Sequence, residues 1–156
     1  MHFIDTHAHV YAEELTSDLD LIMKNAVAVG VNKIIMPAID STTLDAMLKV
    51  EQQFPEHCIA MMGLHPCYVK ENYKEELKLV EDWIGKRKFI AIGEIGLDFY
   101  WDKTFTKEQH IVFETQMQWA LDLQLPIAIH TRNAMGETIE AVKPFAKKGL
   151  RGVFHC

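Results

Sequence analysis

Cysteine is scarce in this sequence. Three thiols, Cys58, Cys67 and Cys156, are scattered over 156 residues without C-x-x-C spacing. That excludes a disulfide-stapled scaffold and a cysteine-built zinc ribbon, and reduced thiols are expected. Basic charge is also in deficit: 16 Lys and Arg stand against 22 Asp and Glu, for a net charge of −6. No basic field exists to hold nucleic acid through non-specific phosphate contacts, so any phosphate binding must come from a local site. No apolar run approaches the ~20 residues of a membrane span, and the opening MHFIDTHAHV has no basic region followed by an apolar one. A soluble, cytoplasmic protein without membrane partners is expected. Glycine forms no phosphate-cradling G-x-G-x-x-G loop after the first apolar segment, where Thr6-His7-Ala8-His9 stands instead.

What is there is a globular composition, 49% hydrophobic and 24% charged, together with eight histidines. Short apolar runs alternate with segments of helical period. The candidate strands are Phe3 to His9, Lys33 to Ile39, Cys58 to His65, Phe89 to Leu97, Pro126 to His130 and Gly152 to Cys156. Most are continuously apolar, the pattern of strands covered on both faces. Leu19, Ile22, Met23 and Ala26 recur at helical spacing between a cap at Ser17 or Asp18 and a stop at Gly30. Leu44 with Leu48, and Tyr73, Leu77, Val80 and Ile84 ahead of Gly85, mark two further helices. Thr106-x-x-Gln109 reads as a capping box before Phe113, Met117, Ala120 and Leu121. A fifth helix starts near Met135, with Pro144 expected to kink it or end it early.

Strands alternating with helices give βαβ units and a parallel sheet with right-handed crossovers. Without a glycine-rich loop, a closed TIM-type (β/α) barrel is favoured over a doubly wound open sheet. About six of its eight strands are expected in this single domain, since such a barrel takes ~250 residues.

The chemistry-bearing residues fall at the C-terminal ends of these strands: His7 and His9 on the first, His65 on the third, Glu94 and Asp98 on the fourth, His130 and Arg132 on the fifth, His155 on the sixth. A parallel barrel brings those ends to one rim. Residues two apart share a strand face, so His7 and His9 can point together, as can Glu94 with Asp98 and His130 with Arg132. Imidazoles converging with a carboxylate suit a borderline divalent metal, zinc first, with manganese or magnesium as alternatives. Glu94 in an apolar run is expensive unless it is a ligand or one half of a buried ion pair. His65, before Pro66, is open between substrate contact and a structural turn. Arg132 suits a phosphate held bidentately or an ion pair with Asp98 or Glu137. Asp98 suits a supporting role at least as well as direct catalysis. His2, His57 and His110 are expected to be uninvolved. Trp83, Trp101 and Trp119 are too widely spaced for a joint stacking platform, but Tyr100-Trp101 follows Asp98 in a loop that would overhang the rim, where a base could stack.

DTHAH at Asp5 to His9, GLHP at Gly63 to Pro66, GEIGLD at Gly93 to Asp98, IHTR at Ile129 to Arg132 and FHC at Phe154 to Cys156 resemble, in this order and spacing, the N-terminal part of a TatD-family metal-dependent hydrolase. The family is a branch of the amidohydrolase-like metal-dependent barrels. The resemblance implies two divalent metals at the barrel mouth and an activity that trims DNA from its 3′ end. It further implies His7 and His9 on one metal, His130 and His155 on the other, Glu94 bridging them, and His65 and Arg132 on the scissile phosphate. A last Asp ligand of the family is not contained in this chain. The site of Glu94, His130 and His155 is therefore expected to be complete, and that of His7 and His9 to lack its acidic partner. The chain is expected to be a fragment or a shortened gene product.

Three functions follow as expectations: a deoxyribonuclease using two divalent ions and an activated water; a hydrolase of a small-molecule ester, lactone, amide or phosphoester; or a non-catalytic, truncated half barrel. DNA or a small phosphoester is the expected partner. No stable protein partner is implied beyond self-association through an open sheet edge.

Overall fold

In a computed structural model the described residues are 1–155; Cys156, which closes the FHC motif, lies outside them. Six strands alternate with five α-helices. The order is β1 (Phe3–Asp5), α1 (Leu19–Ala28), β2 (Val31–Pro37), α2 (Ser41–Gln53), β3 (Cys58–Met61), α3 (Tyr73–Lys86), β4 (Ile92–Asp98), α4 (Thr106–Asp122), β5 (Ile127–Arg132), α5 (Met135–Lys147) and β6 (Gly152–His155). Short 3-10 turns precede α1 and follow β3.

Every strand pair is parallel, and the strands lie side by side in chain order, β1-β2-β3 and β4-β5-β6. A single bridge at Met62 and Ile92 joins the two runs: Met62 N donates to Ala91 O, and Gly93 N donates to Met62 O at 2.9 Å. Sequential order with one helix per crossover has no switch point, which excludes the doubly wound sheet and leaves a partial TIM-type barrel. All seven residues of β4 are buried. On one side Met36, Met47, Ala60 and Leu64 pack with the helices α1 to α3. On the other, Ile92, Ile95, Leu97, Phe113, Met117 and Ile129 join β4 and β5 to α4. The terminal strands are different: Phe3 and Ile4 on β1 and Val153 and Phe154 on β6 are exposed. No helix among the described residues is long and apolar enough to cross a membrane.

Several local expectations are corrected. The first strand stops at Asp5, not His9, because the Asp5 carboxylate accepts the His7 N–H at 3.0 Å and turns the chain. The third stops at Met61, and the backbone of Leu64 is served by a side chain from α4 instead of a neighbouring strand. Gln109 caps nothing at the start of α4, since it is buried and reaches back to β4. The capping box in this chain belongs to α2, where Asp40 accepts from Thr42 N and Thr43 N. Neither Ser17 nor Asp18 caps α1 through its side chain. Pro144 sits inside α5 without ending it. Pro144 and Glu140, whose carbonyl loses its donor, are both exposed, so solvent can serve the orphaned acceptor.

Candidate metal centre

Glu94 is 2% exposed in the middle of β4, where an isolated carboxylate would cost several kcal/mol. What surrounds it is imidazole. Its Oε2 lies 2.9 Å from His7 Nε2, 3.7 Å from His9 Nε2 and 3.8 Å from His65 Nε2, and its Oε1 lies 3.1 Å from His130 Nδ1. No Lys or Arg among the described residues pairs with it. Burial pushes its carboxyl up, but the surrounding imidazoles of His130, His7 and His9 outweigh that and hold it well below the usual carboxylate range.

Each ring is aimed by its own element. The Asp5 turn directs His7, and the His155 ring stacks flat on it, with centroids 3.6 Å apart and 2° between planes. His9 Nδ1 meets the Tyr11 hydroxyl at 2.8 Å. His65 follows the segment that Gln116 ties to α4, and burial takes its pKa down to about 4 against the pull of Glu94, so it is neutral at pH 7. His130 lies between two carboxylates, Glu94 and Asp98, with its Nε2 2.8 Å from Asp98 Oδ2. Burial lowers the His130 pKa, but the two acids more than reverse this and raise it. For His155, burial and the neighbouring His7 lower it.

Gly96 makes the β4 to β5 contact close enough for this. It pairs with His130, its φ is +150°, and a Cβ there would fall 1.9 Å from the His130 carbonyl oxygen. Asp98, two residues on, is 1% exposed. Its other oxygen accepts from Tyr100 N at 2.9 Å and Trp101 N at 3.1 Å, while Gln109 brackets its backbone from α4.

The donor chemistry fits divalent metal. One ligand atom each from His7, His9 and Glu94 lie within 4.8 Å of one another, and so do those from His65, Cys67 and His130. Nitrogen donors around one buried carboxylate, with no Lys or Arg among the described residues to pair with it, form a borderline set that suits zinc or manganese better than an all-oxygen ion site.

Of the residues singled out from sequence, His7, His9, His65 and His130 surround Glu94 directly. His155 joins through His7 and Asp98 through His130. Arg132 stands apart, with its guanidinium 3.8 Å from the centroid of the Tyr100 ring and 5.1 Å from that of Trp101. Among the described residues it forms no ion pair with Asp98 or Glu137. His2 and His57 lie away from the cluster beside Asn32, and His110 lies beside Phe99. Sequence reasoning missed Tyr11, although its position two residues after His9 continues the alternation of His7 and His9. It also missed Cys67, whose thiol burial and Asp98 push up to about 12.

The sequence pattern of the family described as TatD related DNase matches residues 4–156. An uncharacterized metal-dependent hydrolase, YabD of Bacillus subtilis (strain 168), is 32% identical over 152 residues, covering 97% of this chain and 59% of its own length. A 3′-5′ ssDNA/RNA exonuclease TatD from Erwinia tasmaniensis is 27% identical over 152 residues, again 97% of this chain and 59% of the relative. The chain thus spans about three fifths of these curated relatives. In fold it is similar to YJJV, a TatD homologue from Escherichia coli K12, with a TM-score of 0.81 at 24% identity over 96% of this chain and 66% of that one. A TatD-family hydrolase from Entamoeba histolytica gives a TM-score of 0.83 at 23% identity, covering all of this chain and 58% of its own. With the family pattern running through nearly the whole chain, the protein belongs to the TatD-related DNases, a family of metal-dependent hydrolases.

Proposed function

We propose that this chain carries the metal-binding face of a nuclease that hydrolyses phosphodiester bonds in DNA with two divalent ions. The observation behind this reading is Glu94, a buried carboxylate within 3.8 Å of four imidazoles and free of any Lys or Arg among the described residues. His7 and His9 would hold one ion, His130 and His155 the other, and Glu94 would touch both. When bound, such ions supply Lewis acidity toward a phosphoryl oxygen and acidify a water. The residues supply the rest. Glu94 fixes the separation of the donor groups, and Asp98 orients His130 through its Nε2. His65, neutral at pH 7, can donate to a phosphate oxygen from its ring nitrogen. Arg132, with no carboxylate partner among the described residues, can stabilise charge growing on the phosphate.

The name of the Erwinia relative favours a single-stranded nucleic acid substrate. The confined cluster also lets an acidic chain handle a polyanion without a basic surface. The test is hydrolysis of a single-stranded oligonucleotide against a panel of lactones and small phosphoesters, with zinc, manganese or magnesium added back after chelation. Oligonucleotide cleavage should require the metal and fall at least about a thousandfold in Glu94→Ala. Undiminished cleavage by that variant, or preference for a lactone, would overturn the proposal.

A further inference from the structure

We infer that the groove beside the metal centre is a stacking site for an unpaired nucleobase, walled by Trp101 and Tyr68. The inference rests on the phosphodiesterase reading above and names the form of substrate it takes.

The groove has a volume of about 440 Å³ and is lined by His9, Ile39, His65, Cys67, Tyr68 and Trp101. Two of these, His9 and His65, also face Glu94, so the groove and the candidate metal centre share a wall. Beside the partly buried Ile39 and Cys67, two aromatic walls are open to solvent, with Trp101 68% and Tyr68 45% exposed. A tryptophan left that open forfeits apolar burial worth a few kcal/mol elsewhere in a fold. Its backbone is also anchored. The Asp98 carboxylate accepts both the Tyr100 and the Trp101 N–H, and the Tyr100 ring meets Trp101 edge to face at 4.9 Å and 86°. Lys70, from the loop after β3, pairs with Asp102 at 2.8 Å and ties down the loop that bears Trp101. Tyr68 is set edge to face against His65 at 6.0 Å.

An exposed indole on an anchored backbone, facing a groove, is suited to a flat, uncharged π-system, because stacking requires no matching hydrogen bonds. Arg132 adds the second part of the pattern. Its guanidinium lies over Tyr100 and next to Trp101, a cation placed where a phosphate adjoining a stacked base would run. A flat ring joined to an anion by a short spacer is a nucleotide. In a duplex both faces of a base are already stacked, so the groove takes a base from a single strand or a frayed end. With a net charge of −6, the chain gains little from backbone phosphates, and stacking must supply affinity that a basic groove would otherwise give.

The test uses octathymidylate, an octamer of abasic deoxyribose phosphates, and a blunt duplex of the same length. Trp101 is the most exposed of the three tryptophans, so octathymidylate should quench the intrinsic fluorescence, and Trp101→Ala should abolish that quenching while Trp101→Phe retains binding. The ratio of KM values for abasic and base-bearing octamers should be about ten and should fall toward one in Trp101→Ala. Equal quenching by the abasic octamer or the duplex, or an unchanged KM ratio in Trp101→Ala, would overturn the inference. If neither octamer is hydrolysed, the phosphodiesterase reading fails by itself, and the quenching comparison still decides what the groove binds.

Discussion

The Tyr11 hydroxyl lies 2.8 Å from His9 Nδ1 while donating its proton to the Pro37 carbonyl. A hydroxyl has one proton, so toward His9 it is an acceptor. That places the ring proton on Nδ1 and leaves the lone pair of Nε2 on the side of Glu94. A buried tyrosine two residues along thereby sets the tautomer that a metal requires. Tyr11→Phe should lower zinc affinity about 10- to 100-fold by calorimetric titration. It should also cost about 1–3 kcal/mol of stability, because the Pro37 carbonyl is left unpaired. Unchanged affinity would remove Tyr11 from the site.

Gln116 makes a comparable connection between helix and strand end. It is fully buried on α4, its Oε1 accepting from Leu64 N at 2.7 Å and its Nε2 donating to Leu64 O at 3.1 Å. Both groups would otherwise be buried without partners, just before His65. Gln116→Leu should destabilise the protein by about 2 kcal/mol in urea unfolding, while Gln118→Leu, on the exposed face of the same helix, should stay within about 0.5 kcal/mol. Equal midpoints for the two variants would show that the amide does not hold this segment.

Much of this architecture was legible because it depends on local pattern. KIIMPAI, FIAIGEIGL and PIAIH read as buried strands, and Glu94 stood out because a carboxylate inside such a run needs a partner. What was not legible depends on groups distant in sequence. The third strand looks continuous to His65 until Gln116, 52 residues away from Leu64, takes over its backbone. Thr106 and Gln109 have capping-box spacing, yet Gln109 has a competing partner in Asp98 that only the packing of α4 on β4 provides. Arg132 could have met Asp98, Glu137 or a phosphate, and its seat on Tyr100 follows from the loop after β4, whose path no periodicity encodes.

The Arg87 to Glu51 pair gives a pH dependence whose sign follows from its surroundings. Two guanidinium nitrogens of Arg87 lie 2.6 and 3.0 Å from the Glu51 oxygens, and Ala60 N donates to the same carboxylate at 2.8 Å. Burial raises the carboxyl pKa, but Arg87 and the Ala60 N–H together lower it below its ordinary value. A depressed folded-state pKa contributes stability that is present above the unfolded value of about 4.3 and lost as pH falls through the folded value. Because the Arg87 side chain is about a third exposed, the gain is modest. Glu51→Gln should cost roughly 1 kcal/mol near neutral pH, with the gap to the unaltered protein narrowing as the solution is acidified below about pH 4. A gap that widened in acid would contradict the assignment.

Metal binding should register in stability independently of any substrate. A ligand that binds only the folded protein stabilises it by about 2.7 kcal/mol at a hundred times its dissociation constant. In a chain of this size that corresponds to roughly 5–10 °C in melting temperature. The predicted ligands join distant parts of the sequence, with His7 and His9 meeting Glu94 on β4 and His130 on β5. An ion there would therefore hold together both runs of the sheet, which are otherwise joined by one bridge at Met62 and Ile92. Zinc or manganese added to chelated protein should raise the melting temperature, and excess chelator should reverse the rise. Glu94→Gln keeps the size of the side chain but removes its charge, and should abolish most of the shift. His57→Ala, which alters an imidazole beside Asn32 and away from the cluster, should leave the shift intact. Equal shifts in the two variants would place the metal elsewhere.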